Sequence, residues 1–382
     1  LKRVLWLALI FALAFPIMPE AASVQTVNIT ETTPVFKDSQ KVAVFLKGTS
    51  TSIAKESDRY YHTVIGGEEV KFSKSRAKVA KDSFGSLKGA YPVRAQTKKH
   101  VPILNAPKKN AKSIGQLQPN LTIQLQRARG DYYPINFGGK TAYIDKKDIV
   151  VDPGIPVLMY HDLVRVKMSD NVSVLELKNF EEQMNYLKKN NWTTITPRQL
   201  ELWMKGKIEL QKKSVLITFD DGYDSTVELG YPILKRHGFK ATSFLITSRI
   251  DKPGMVSAES IRLTSDVYSY ESHTHAFHMF NSMTGLSYLQ SESRYSIGAD
   301  LNEANESIKE ILDNGYRVTA HAYPYGKRSP QAIQALKDAG ITIAFTIEEG
   351  NVHRGDSIYE LNRQRVHSSM SLKDFADKLN GM

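Results

Sequence analysis

Cysteine is absent from the 382 residues. That excludes disulfides, thiolate metal sites, cysteine nucleophiles and a lipid-modified N-terminal cysteine, so any metal must be held by His, Asp or Glu. Acidic and low-complexity blocks are lacking too. With 41% hydrophobic and 24% charged residues, the composition is that of a folded chain rather than a disordered one. No apolar run is long enough to span a bilayer comfortably. The stretch from Leu5 to Ile17 follows the positive pair Lys2-Arg3 and precedes the small residues Ala21, Ala22 and Ser23. Residues 1–23 therefore read as an export signal, with an uncleaved anchor as the alternative, and the protein is expected to be secreted or cell-wall associated.

The length suffices for two or three domains, and the charge divides the chain. Residues 24–151 contain 22 Lys and Arg against 10 Asp and Glu, whereas residues 152–382 contain 27 against 29. A cationic front half is either a solvated basic surface or a surface that attracts a polyanion. For an exported protein that polyanion is a wall polymer or a phospholipid surface rather than nucleic acid. The front half also holds a repeat. Tyr60-Tyr61 leads through Gly66-Gly67 to Val70 and Phe72, and Tyr132-Tyr133 leads through Gly138-Gly139 to Ala142 and Ile144. Each copy reads as strand, Gly-Gly hairpin turn, strand, and short strands at this spacing suggest small β-barrels. The pattern resembles bacterial SH3-like domains, at 28–80 and, more fully, at 97–151, with a linker between Ala80 and Lys99. That resemblance implies a tether to peptidoglycan; a plain spacer is the alternative.

From Ile155 onward, apolar runs alternate with helical patterns. Val157 to Tyr160, Val215 to Phe219, Ala241 to Ile246, Val318 to Tyr323 and Ile341 to Ile347 read as buried strands. Phe180, Met184 and Leu187 fall at helical spacing, as do Leu301, Ala304, Ile308 and Ile311, with a stop at Asn314-Gly315. This alternation predicts an α/β fold, a parallel sheet or (β/α) barrel, with functional residues at the C-terminal ends of the strands.

Polar residues stand at those ends. Asp220-Asp221-Gly222 follows the strongest apolar strand. Adjacent carboxylates repel unless a cation intervenes, so the pair is either a surface turn or a metal ligand beside a free base. His273, His275 and His278 follow another strand-like run, Val267 to Ser272. An Asp with two His suits one divalent ion, zinc first, with cobalt or nickel as alternatives, and leaves positions open for water and substrate. At a third end, Tyr323-Pro324-Tyr325-Gly326 is either a plain turn or a site where the Tyr325 backbone N–H serves as an oxyanion donor.

Together these three segments resemble the polysaccharide deacetylase, or NodB-homology, family (carbohydrate esterase family 4), over about residues 152–382. The resemblance implies a distorted (β/α) barrel preceded by one or two small SH3-like β-barrels. It implies Asp220 as the base and Asp221 as a metal ligand. Histidine ligands of the family usually stand four apart, but position 277 is Phe. The five-residue spacing of His273 and His278 is similar to that of the branch that deacetylates poly-N-acetylglucosamine. That branch also lacks the usual motif arginine, and Ala322 stands here. It carries its acid histidine on the first strand, where Val157-Leu158-Met159-Tyr160 runs into His161, whereas most of the family keeps it late, near His367. Arg363 is implied to orient the Asp220 carboxylate. Tyr323, Pro324 and His275, with His321, are expected to line the substrate groove. The expected reaction is metal-dependent hydrolysis of N-acetyl groups on N-acetylglucosamine residues of peptidoglycan or poly-N-acetylglucosamine. A catalytically inactive wall-binding protein and an O-acetyl polysaccharide esterase remain the alternatives.

Overall fold

A computed structural model describes residues 25–80, 91–166, 170–313 and 315–382. The expected export signal at 1–23 lies outside them.

The front half is antiparallel throughout. Both Gly-Gly turns form as read: Gly66 and Gly67 (φ 55° and 86°) and Gly138 and Gly139 (φ 67° and 81°) supply the two successive left-handed residues that a tight two-residue hairpin needs. The two copies do not close into separate barrels. Ala43 to Phe45 pair with Leu117 to Gly115, which joins the copies at one seam. At the other seam Ile65 pairs with Phe137, and the hairpin turns exchange bonds, Gly66 N–H to the Asn136 carbonyl and Gly138 N–H to the Val64 carbonyl. Strands from both copies thus share one sheet that closes on itself. The reason lies in the apolar alternation, which gives each copy only one buried face. That of the first, with Phe45 and Phe72, meets Phe137 of the second, at centroid distances of 5.3 Å for Phe45–Phe72 and 4.9 Å for Phe45–Phe137. One core holds residues from Val27 to Ile149. Of the expected linker, residues 81–90 lie outside the described residues, and Val93–Thr97 is a strand that pairs with Thr122–Leu125 and Ile149–Asp152.

The back half is a closed barrel of seven parallel strands. They are β1 (Val157–Tyr160), β2 (Ser214–Phe219), β3 (Ala241–Leu245), β4 (Tyr268–Ser272), β5 (Ala320–Ala322), β6 (Ile343–Glu349) and β7 (Leu361–Arg365). Closure comes where β1 pairs with both β2 and β7. Five of the seven lie where apolar runs are read, and β4 lies where the strand-like run Val267 to Ser272 is. Strand alternation sorts their side chains. On β2, Leu216 faces the barrel interior with Phe244, Phe345 and Val157, while Val215, Ile217 and Phe219 face the helical layer. That layer includes Leu177–Lys189, which buries Phe180, Met184 and Leu187, and Arg294–Leu312, which buries Leu301, Ala304 and Ile308. Both are helices where the 3.6-residue period placed them. Where β4 meets β5, the buried Glu271 carboxyl accepts the Thr319 and Ala320 N–H groups (2.8 and 2.9 Å); burial raises its pKa to about 8. The structure thus matches the barrel expected for 152–382 and supplies an antiparallel barrel in front of it.

Because Phe137 bridges the cores of both copies, Phe137→Ala is expected to cost roughly 3–5 kcal/mol and to destabilise residues 26–80 and 93–152 together. Hydrogen exchange resolved along the chain checks this. Loss of protection confined to the second copy would contradict a shared core.

Candidate active site

The polar strand ends converge at one mouth of the parallel barrel. Asp220 and Asp221 follow β2 directly. Asp220 continues the inward face of Leu216 and Thr218 and is 2% exposed. Its carboxylate meets Arg363 of β7 in a two-bond fork, Nη1 to Oδ1 and Nη2 to Oδ2, both 2.7 Å. Arg363 is fully buried, and its remaining donors reach the Thr346 carbonyl (2.8 Å) and the Thr218 hydroxyl (3.2 Å). Burial pushes the Asp220 carboxyl up, but the guanidinium outweighs it and holds the group below the usual carboxylate range.

Asp221 turns the chain at φ 73°, a left-handed conformation rare for residues with a side chain. The turn aims its carboxylate away from Asp220, toward two histidines. Its Oδ1 lies 3.4 Å from His273 Nε2 and 3.2 Å from His278 Nε2. The ligand atoms of the three residues all lie within 4.8 Å of one another. Burial pushes the Asp221 carboxyl up, but the two histidines that face it outweigh burial and hold the group well below the usual carboxylate range. His273 Nδ1 stands 2.7 Å from the Ala322 carbonyl. A carbonyl only accepts, so Nδ1 carries a ring proton and Nε2 is the nitrogen that faces Asp221. His278 Nδ1 is 3.1 Å from the Tyr325 hydroxyl, which is 3.4 Å from the His278 carbonyl. The donor set, one carboxylate and two imidazoles each with a partner on the far nitrogen, fits a divalent ion.

The loop that carries the histidines is held by a residue the sequence reading missed. Asp300, on the helix Arg294–Leu312, accepts the N–H groups of His275, Ala276 and Phe277 (2.8, 2.8 and 3.1 Å). Thr274, at φ 76°, reverses the chain between His273 and His275. His275 is thereby turned outward, with Nδ1 2.9 Å from the Thr247 hydroxyl and Nε2 3.2 Å from Glu303. It stays outside the cleft that the three grouped residues line.

That cleft has a volume of about 340 Å³. His161, at the end of β1, lines it. Its Nδ1 is buried with no hydrogen-bond partner. Burial lowers its pKa, and Asp220 and Asp221 oppose the change. Tyr323 and Tyr325 line the cleft as well. Tyr325 is held at φ 58° by a tight turn in which Gly326 N–H donates to the Tyr323 carbonyl, and its ring lies 4.6 Å from His278 and 4.4 Å from Phe280. Pro324 is buried and starts that turn without lining the cleft. His321, also expected in the groove, is fully buried beside Ser272: Ala320 and Ala322 take the interior face of β5, which leaves His321 on the other. His367 sits outside the cleft, against the Ser369 hydroxyl (2.9 Å). Arg365, two residues beyond Arg363 on the same face of β7, and Ser173 complete the wall near His161, joined at 2.7 Å.

A seven-strand parallel barrel with an Asp-His-His group and a second, arginine-bound carboxylate at its mouth is the arrangement that the resemblance to the deacetylases implies, and sequence similarity places the chain in that class of hydrolase. Residues 207–344 match the polysaccharide deacetylase family. YxkH of Bacillus subtilis, named for the same family, is 31% identical over 231 residues, 60% of this chain and 77% of its own. The poly-beta-1,6-N-acetyl-D-glucosamine N-deacetylase of Staphylococcus aureus is 28% identical over 225 residues, 54% of this chain and 76% of its own. Among solved structures, IcaB from Ammonifex degensii superposes with a TM-score of 0.52 at 25% identity, covering 60% of this chain and 96% of that one. This chain belongs to the polysaccharide deacetylase family.

Removing Arg363 leaves Asp220 buried without its partner. Arg363→Ala is therefore expected to lower unfolding stability by roughly 3–5 kcal/mol, read by urea denaturation. Asp220→Leu with Arg363→Met should recover most of it; a double variant as unstable as the single one would contradict the pair's isolation in the interior.

Proposed function

We propose that this protein is a metal-dependent N-deacetylase of N-acetylglucosamine polymers acting outside the cell, with poly-N-acetylglucosamine or peptidoglycan as the substrate. The observation that carries the proposal is the pairing of two carboxylates with opposite partners: Asp220 bound to Arg363 and Asp221 facing His273 and His278. In this reading Asp221, His273 and His278 hold the ion. When bound, a divalent ion of the zinc type polarises an acyl oxygen and lowers the pKa of a coordinated water.

The chain's own residues do the remainder. Asp220 is kept ionised by Arg363 and takes the proton of the attacking water as general base. The Tyr325 N–H, on a turn fixed by Gly326, donates to the oxyanion. An amine leaves poorly unless protonated, and His161, at the opposite wall of the cleft, supplies that proton. Burial lowers the His161 pKa on balance, and the two carboxylates beside it favour the protonated form without reversing that direction. Tyr323 shapes the acyl pocket. The N-terminal half, with its excess of Lys and Arg, draws the enzyme to anionic wall polymers.

The ligand assignment is tested by metal analysis of purified variants. His273→Ala and His278→Ala are expected to lose one bound ion per chain, and His275→Ala, whose ring is turned to Thr247 and Glu303, to keep it. Equal loss in all three would reject the assignment. The acid is tested by steady-state acetate release from an N-acetylglucosamine oligomer. His161→Ala should lower kcat by roughly 10²–10⁴ with metal content unchanged, whereas His367→Ala should have a much smaller effect. A near-normal rate for the first beside a collapsed rate for the second would move the acid to His367.

A further inference from the structure

The catalytic cleft does not end at its own wall. Tyr325 and Ile347 line it on one side and, on the other, line a second depression of about 960 Å³ that runs over Gly326 and Lys327. That second depression is bounded by Arg328, Glu348 and Glu360, and the same three residues form the near wall of a third depression of about 340 Å³. The far wall of the third belongs to the N-terminal half, where Arg94 and Gln124 face the barrel. Three adjoining hollows with shared walls make one path, from the Asp-His-His group to the front of the molecule.

The path is built rather than incidental. Arg328 forms the divide between the second and third hollows and is fixed on both sides, Nη1 to Glu348 at 2.9 Å and Nε to Glu360 at 2.8 Å. Across the third hollow, Arg94 meets Asp356 at 3.0 Å. One further tie joins the N-terminal half to the barrel: Arg127 Nη2 donates to the side-chain oxygen Oε1 of Gln364 (3.0 Å). The guanidinium groups at the divide and at the far wall are thus matched by carboxylates. What they offer a ligand is a row of fixed hydrogen-bond donors and acceptors. Gln124 adds an exposed amide, which both donates and accepts.

From this geometry we infer that the N-terminal half is part of the substrate-binding surface: it forms the distal end of a groove that holds several consecutive sugars of one glycan strand while one N-acetyl group lies at Asp221, His273 and His278. Sugar hydroxyls and acetamido groups present alternating donors and acceptors, which suits such a lining, and binding far from the reacting bond is the means by which a polymer is positioned for chemistry at one unit. The inference rests on the deacetylase reading above and assigns the front half a second task besides attraction to the wall.

The test compares a disaccharide and a hexasaccharide of N-acetylglucosamine by titration calorimetry on the full metal-loaded chain. The hexasaccharide should bind more tightly to the wild type. In Gln124→Trp, whose indole fills the third hollow, the ratio of the two affinities should fall by roughly tenfold, the size of one or two lost hydrogen bonds. Gln124→Ala, which removes only an exposed amide, should shift the ratio in the same direction and serves if the Trp variant does not fold. Equal affinities for the two oligomers in the wild type, or an unchanged ratio in the variants, overturns the groove. Acetate release is followed in parallel. Length-dependent binding without acetate from either oligomer would retain the groove and reject the deacetylase reading on these substrates, and acetate release with an unchanged ratio would do the reverse.

Discussion

The site depends on one buried ion pair. Arg363 and Asp220 lie in the barrel interior, where two charges cost several kcal/mol each to desolvate. The cost is offset only because the fork-to-fork geometry is complete and the remaining guanidinium donors find the Thr346 carbonyl and the Thr218 hydroxyl. This fixes more than Asp220. With one carboxylate neutralised from below, its neighbour can face the histidines without a like charge beside it that is free to move. The Phe244 ring, 5.9 Å from the guanidinium carbon, closes the floor beneath.

That arrangement also shows what the sequence does and does not disclose. Five strands of the barrel announce themselves as apolar runs because most of their residues are buried on both faces, and a sixth, Tyr268–Ser272, as a strand-like run. The seventh, Leu361-Asn362-Arg363-Gln364-Arg365, has no such run. It is a strand because Leu361 and Arg363 point inward, Arg363 toward a charge that lies 143 residues earlier in the chain. Long-range pairing of this kind leaves no local pattern. The metal-site candidates were legible for the opposite reason: Asp220 and Asp221 are adjacent, and the three histidines fall within six residues of one another. Spacing alone could not say which histidines converge. Thr274, in a left-handed conformation, turns His275 away, and Asp300 holds the turned loop through three N–H groups from a helix twenty-five residues on.

The front half shows the same limit. Both Gly-Gly hairpins were readable, because two successive left-handed residues demand glycine. Their partnership was not. Each copy taken alone suggests a small closed barrel, yet Phe45 and Phe72 of the first pack with Phe137 of the second. The seam at Ile65 and Phe137 joins residues 72 positions apart by pairing the two hairpins turn to turn. A repeat in sequence therefore became two halves of one closed sheet.

The contributions to the site are spread along the chain, from His161 on the first strand of the barrel to Arg363 on the last, and this has a consequence for how the molecule comes into being. A chain is made from its N-terminus, and domains generally fold in that order. The front barrel has all its strands once residue 152 has emerged. Asp221 and both histidines follow, but the barrel stays open, and Asp220 stays unpaired, until β7 is available near the very end. The Asp220–Arg363 pair therefore forms only after the other residues of the candidate site have emerged. A chain cut short before Arg363 still carries Asp221, His273, His278 and the residues that orient the two histidines, but lacks the strand that closes the barrel and the partner that neutralises Asp220.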